Sequence, residues 1–88
     1  MTLTTFEKIK KIAGMAVASG VAYRSLLTTM IDLDKAVEIY DLDLDALMAA
    51  NIVDFANEIR DIQINIDRSM ETFPDYYTPK FARKKKAT

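Results

Sequence analysis

The stretch IKKIAGMAVASGVAYRSLLTTMIDLDKAVEIY, residues 9–40, decides the reading of the fold. Within it Ile9, Ile12, Ala16, Ser19, Tyr23, Leu26, Met30, Leu33, Val37 and Tyr40 recur at alternating steps of three and four. Such steps hold side chains on one face of an α-helix. Only Ser19 in this series is polar. After a short acidic break a second series follows: Met48, Ile52, Phe55, Ile59, Ile62, Ile66, then Ser69 or Met70, then Phe73. Two apolar stripes in succession predict an all-α fold. The expected form is a long antiparallel helical hairpin, coiled-coil-like, that self-associates and carries a basic C-terminal tail.

The expected boundaries follow from capping chemistry. Thr4 and Glu7 have capping-box spacing, so each side chain can reach a free backbone N–H of the first turn. Gly14 and Gly20 each weaken a helix by about 1 kcal/mol relative to Ala. The register nevertheless runs through them without a skip, and through Thr28, Thr29 and Asp32, where a kink would fall. One continuous helix over 4–40 is therefore expected. The turn is 41–43, with Asp43 as the N-cap of a second helix and Leu42 and Leu47 as a hydrophobic staple. That helix runs over 44–73 and stops before Pro74, because the residue preceding a proline avoids helical geometry. Residues 1–74 form the hairpin and 75–88 the aromatic and basic tail.

At 88 residues the chain holds one domain. A chain this short buries too little surface to be robust without a disulfide, a metal or a partner. It has no Cys and no His. Disulfides, thiolate metal sites and imidazole chemistry are thereby excluded. Oligomerisation is the support that remains. Helix 1 favours it, because Ala13, Val17, Val21, Leu27, Ile31 and Ile39 widen the apolar arc beyond what one partner helix covers. Gly14, Ala18 and Ala22 add a row of small residues that admits close helix approach. The expected assembly face is Val17, Val21, Leu27, Ile31 and Ile39.

Charge is unevenly placed. Residues 1–31 carry +3, residues 32–75 carry −9, and residues 76–88 carry +5. Asp54, Glu58 and Asp61 line one face of helix 2. They read either as a solvated face paired with Arg24 and Arg60 or as an acidic patch for a basic partner. With Tyr76, Tyr77 and Phe81 they make up the expected partner face. Lys80, Arg83, Lys84, Lys85 and Lys86 are candidate phosphate-binding residues, because clustered cations bind nucleic acid by counterion release. The same residues also serve as a solubilising end.

Other chemistry finds little support. Asp41, Asp43 and Asp45 imitate the opening of a calcium loop, but Ala46 and Ile52 occupy the positions that need Gly and Glu. Carboxylate metal sites in helical bundles pair Glu with His, so no metal and no cofactor is expected. Residues 12–31 contain one charge, Arg24. That charge near the centre of the segment costs about 2.5–3.5 kcal/mol on insertion scales, which argues against a membrane span. No nucleophile–base pair or glycine-rich phosphate loop is present, so the chain does not read as an enzyme.

The expected function is non-enzymatic: a helical hairpin mediating protein–protein association as a small scaffold, adaptor or inhibitor. The alternative is a nucleic-acid-associated structural protein using its basic tail. In composition the acidic helices and basic C-terminus resemble small phage and viral proteins. The expected partners are another copy of the chain, another protein, and nucleic acid at the tail. The expected location is cytoplasmic, or virion-associated for a viral protein.

Overall fold

The structure, a computed structural model, describes residues 3–85. Four helices follow one another: α1 (Thr5–Ala18), α2 (Leu26–Tyr40), α3 (Leu44–Ala49) and α4 (Ile52–Asn65). The fold is all-α, and α1 packs on α2 and α3 while α2 packs on α4. The two long helices expected from the stripes are four shorter ones. A single helix over 4–40 would be about 55 Å long, whereas the longest extent of the molecule is 35 Å.

The break at residues 19–25 has a local cause. Gly20 sits at φ +77°, the left-handed conformation that favours glycine. Its N–H donates to the Val17 carbonyl at 3.1 Å, and the Val21 N–H donates to the Ala16 carbonyl at 3.0 Å. That pair of bonds is a Schellman stop, and Ala16 and Val21 are both buried beside it. Ser25 then opens α2 by accepting the Thr28 N–H at 3.3 Å. A second break separates α3 from α4. Asn51 caps α4, its Oδ1 accepting the Asp54 N–H at 2.9 Å. Helix α4 ends at Asn65, well before Pro74, and residues 67–72 form a tight turn with Glu71 at φ 50°.

The expected starts of α1 and α3 are as the caps indicate. Thr4 and Glu7 form the reciprocal capping box, at 3.1 and 3.2 Å. Asp43 accepts the Ala46 N–H at 3.1 Å, and Leu42 and Leu47 are both buried. The stripes themselves became the core wherever helix persists: Ile9, Ile12, Ala16, Leu33, Tyr40, Phe55, Ile59, Ile62 and Ile66 are all buried. They fail at the breaks, where Ser19, Tyr23, Leu26 and Ile52 are exposed. Burying a large apolar side chain contributes about 1.5–3 kcal/mol, so this core carries most of the fold.

Residues 66–85 form no helix but return across the helices as a strap. Phe73 and Tyr77 join Tyr40 in an aromatic cluster, with ring centroids 5.4 Å (Tyr40–Phe73) and 5.6 Å (Phe73–Tyr77) apart. The buried Tyr40 hydroxyl donates to the Tyr77 carbonyl at 2.9 Å. Farther along, the Asp43 N–H donates to the Phe81 carbonyl at 2.8 Å, and the Lys84 N–H donates to the Tyr40 carbonyl at 2.9 Å. The segment expected as an aromatic and basic tail is thus packed onto the fold through Lys84.

Candidate interaction surface

Helices α1 and α2 each present an exposed apolar ridge: Phe6 on α1, and Leu27 with Ile31 one turn on along α2. Between the ridges lies a groove of about 410 Å³ lined by Thr5, Phe6, Ile9, Leu27, Met30, Ile31 and Asp34. Phe6 is 64 % exposed, Leu27 67 % and Ile31 49 %. A shallower hollow of about 510 Å³ adjoins it across Phe6, lined by Leu3, Glu7, Lys10, Lys11 and Gly14. Apolar side chains clustered around one concave surface and rimmed by charge are the pattern of a recognition site.

Below this surface the chain buries polar groups. Asp32 is 1 % exposed, and its Oδ2 accepts from Arg68 and, at 3.0 Å, from the Gln63 amide. The same amide donates to Thr29 Oγ1 at 3.1 Å. Gln63 Oε1 accepts the Tyr23 N–H at 2.7 Å, which fixes the α1–α2 connection to α4. This seam ties α2, α4, the connection and the strap together.

A second buried carboxylate holds the strap. Glu58 is 2 % exposed, and its two oxygens accept the N–H groups of Lys80 (3.1 Å) and Phe81 (2.7 Å). Burial pushes its carboxyl above the ordinary glutamic value, with Asp61 adding to the shift while the two N–H groups and the Lys80 charge oppose it. Burial likewise raises the neighbouring Tyr77 phenol. Asp54 lies below the usual carboxylate range because Lys80 sits 3.0 Å away. Asp43 is lowered by its cap bond from Ala46 and then by Arg83.

The expected site residues are divided among these environments. Of the expected assembly face, Leu27 and Ile31 line the groove and Val17 is exposed elsewhere on α1. Val21 is buried as the apolar partner of the Schellman stop, and Ile39 packs against the core. Of the expected partner face, Asp61 and Tyr76 are exposed, Asp54 pairs with Lys80, and Glu58 is buried under the strap. Tyr77 and Phe81 pack against the core. Lys80 is held by Asp54, and Arg83 bridges Asp43 at 3.0 Å and Asp41 at 3.8 Å. Lys84 and Lys85 are exposed, and Lys86 lies outside the described residues.

Sequence reasoning missed Phe6, Met30 and Asp34 as groove residues. Phe6 lies off the heptad stripe, one residue before the capping Glu7, and that isolation was the available signal. The buried set Thr29, Asp32 and Gln63 was missed because polar residues flanking a stripe normally face water. Asp41, Asp43 and Asp45 serve the turn: a left-handed helix end, an N-cap, and an ion pair with Lys8 at 3.0 Å. Among the described residues, no group of three or more acidic side chains is arranged to hold a metal ion, and no helix is long and apolar enough to cross a membrane. Compared with protein-family models, with curated proteins and with solved structures, the chain matches none.

Proposed function

We propose that the protein is a non-enzymatic association module whose working surface is the α1–α2 groove and whose first partner is another copy of itself. One observation carries this reading. Phe6, Leu27 and Ile31 surround one groove in solvent although the core beneath is already closed by Ile9, Ile12 and Leu33. A small chain without disulfide or metal gains most from covering such a surface by self-association. Scaffold, adaptor and inhibitor roles all begin from this step.

The alternative, nucleic-acid binding through the strap, has less support. Lys80 and Arg83 are engaged by the chain's own carboxylates, Tyr77 packs in the cluster around Tyr40 and Phe81 packs against the core, which leaves Tyr76 as the exposed ring of the three. Sedimentation equilibrium over a micromolar concentration series tests the proposal. A concentration-dependent mass that falls to the ten-kilodalton monomer on Leu27→Ser/Ile31→Ser substitution is the expected result. A wild-type monomer throughout that range overturns it.

A further inference from the structure

We infer that the seat under residues 79–84 is a peptide-recognition site, that the chain's own strap occupies it as a releasable internal ligand, and that its external ligand is a free segment of another protein with the same basic and aromatic pattern.

The strap is held here as a bound peptide is held. Five consecutive N–H groups, from Lys80 to Lys84, each donate to an acceptor. Those of Lys80 and Phe81 enter the Glu58 carboxylate, at 3.1 and 2.7 Å. That of Ala82 closes a turn on the Pro79 carbonyl at 3.2 Å. Those of Arg83 and Lys84 reach the Asp41 and Tyr40 carbonyls, at 3.3 and 2.9 Å. The Phe81 carbonyl accepts the Asp43 N–H, and Ala82 pairs with Leu42 in an antiparallel bridge. Side chains add selectivity: Phe81 packs against the core, Lys80 meets Asp54 and Arg83 meets Asp43. Peptide-binding sites divide the task in this way, with main-chain bonds giving affinity and side-chain contacts giving choice. The pattern selected is Pro-Lys-Phe-x-Arg, as residues 79–83 spell it.

The hold is releasable. Lys80, Arg83 and Lys84 are exposed and Phe81 is only half-buried, and ion pairs at such exposed positions are weak. The exposed Thr78 separates this stretch from the cluster of Tyr40, Phe73 and Tyr77. Residues 79–84 can therefore lift while that cluster stays. The seat shares no residue with the α1–α2 groove, so it is a separate surface. A second copy brings a strap already satisfied at home, so exchange between copies gains no contact and costs freedom of motion. A free segment of another protein has no bonds to give up, which makes it the favoured occupant.

A labelled peptide copying residues 78–85 is the probe, read by fluorescence anisotropy on the full chain. On wild type it competes with a strap present at an effective concentration of about millimolar, so binding should be weak. Lys80→Glu/Arg83→Glu sets carboxylates against Asp54 and Asp43 and opens the seat, and this variant should bind the peptide at least about tenfold more tightly. A scrambled peptide of the same composition should not share the gain. Equal binding of the peptide by the two chains overturns the inference, and so does an equal gain for the scrambled peptide. Native-state hydrogen exchange on wild type gives an answer that does not depend on how the variant folds. The Lys80, Phe81 and Lys84 amides should exchange at least about tenfold faster than those of Ile59 and Ile62 in α4. One common rate would mean that the strap lifts only when the whole molecule unfolds, which overturns a releasable ligand. A wild-type mass that doubles in sedimentation, and falls back on Lys80→Glu/Arg83→Glu but not on Leu27→Ser/Ile31→Ser, would make a second copy's strap the occupant and overturn the choice of partner.

Discussion

Helix α2 shows two faces with inverted polarity. Its inner side buries Thr29 and Asp32, while its outer side leaves Leu27 and Ile31 in solvent. A buried carboxylate without partners costs several kcal/mol, and here Gln63 and Arg68 are both committed to Asp32. The outer face makes no such demand, yet it is apolar. The contrast separates two duties. The inner seam selects one arrangement of α2, α4 and the strap, because only that arrangement gives Asp32 its donors. Leu27 and Ile31 on the outer face lie outside the core, although the groove they line has the core residue Ile9 as part of its lining.

The largest effect should come from breaking the inner seam. Arg68→Met leaves Asp32 buried with only the Gln63 amide as donor. Loss of one partner of a buried pair costs about 3 kcal/mol or more, readable as a lower urea midpoint. In an Asp32→Asn background the same change should cost much less, since no buried charge is then abandoned. Equal losses in both backgrounds would mean that Arg68 acts by packing alone.

Glu58→Leu attacks the strap's hook and should cost about 1–3 kcal/mol, because two backbone donors lose their acceptor. Hydrogen exchange at Lys80 and Phe81 should speed up selectively. The pH trend has a definite sign. The folded carboxyl of Glu58 lies above its ordinary value of 4.5, so its contribution to stability is full below that value. It is lost as pH rises through the raised one. The gap between wild type and Glu58→Leu should therefore narrow from pH 4 to pH 7. Asp43 and Asp54, whose carboxyls are lowered, pull the other way. Both pair with the same strap, so the comparison is made in an Asp43→Asn/Asp54→Asn background, where they drop out of the difference.

These two buried carboxylates also mark where the sequence stopped being legible. Local chemistry could be read well: the Thr4 box, the Asp43 cap and the apolar stripe residues of each helix are where capping and periodicity place them. From sequence Gly20 reads only as a helix-weakening residue and Ser25 carries no reading as a cap, because the heptad register continues across both, and a register does not report whether the backbone between its members is helical. Asn51 was hidden by the second stripe in the same way. Asp32, Glu58 and Gln63 were not readable at all. Their partners lie 22 to 40 residues away, so their burial depends on a tertiary arrangement that no local pattern specifies. Of the groove, Leu27 and Ile31 were visible as surplus apolar residues. Phe6 and Asp34 acquire meaning only once α1 and α2 are separate helices side by side.

Gly20→Ala sharpens the account of the break that creates the groove. The left-handed conformation costs a non-glycine residue about 1 kcal/mol. No atom lies within 4 Å of the added Cβ, so strain and not crowding sets the cost. A loss near that size, seen as a lower melting temperature, is expected. A gain in stability and helicity would indicate that the chain prefers the continuous helix that its heptad register suggests.

The smallest effect should come from the outer face. In Leu27→Ser/Ile31→Ser two apolar side chains become polar on exposed positions of α2, so little area is returned to water on unfolding. At submicromolar concentration, where only monomer is present, the change should lie within about 0.5 kcal/mol per site. The same substitutions should matter more as concentration rises, because self-association stabilises the folded wild type by mass action and the variant lacks that term. The wild-type melting temperature should climb with concentration while the variant's stays level. Two parallel, level lines would mean that the outer face is merely tolerated apolar surface. A large gap already present at the lowest concentration would mean that Leu27 and Ile31 belong to the monomer's own core. Only a gap that opens with concentration keeps the inner seam and the outer groove as separate devices on one helix.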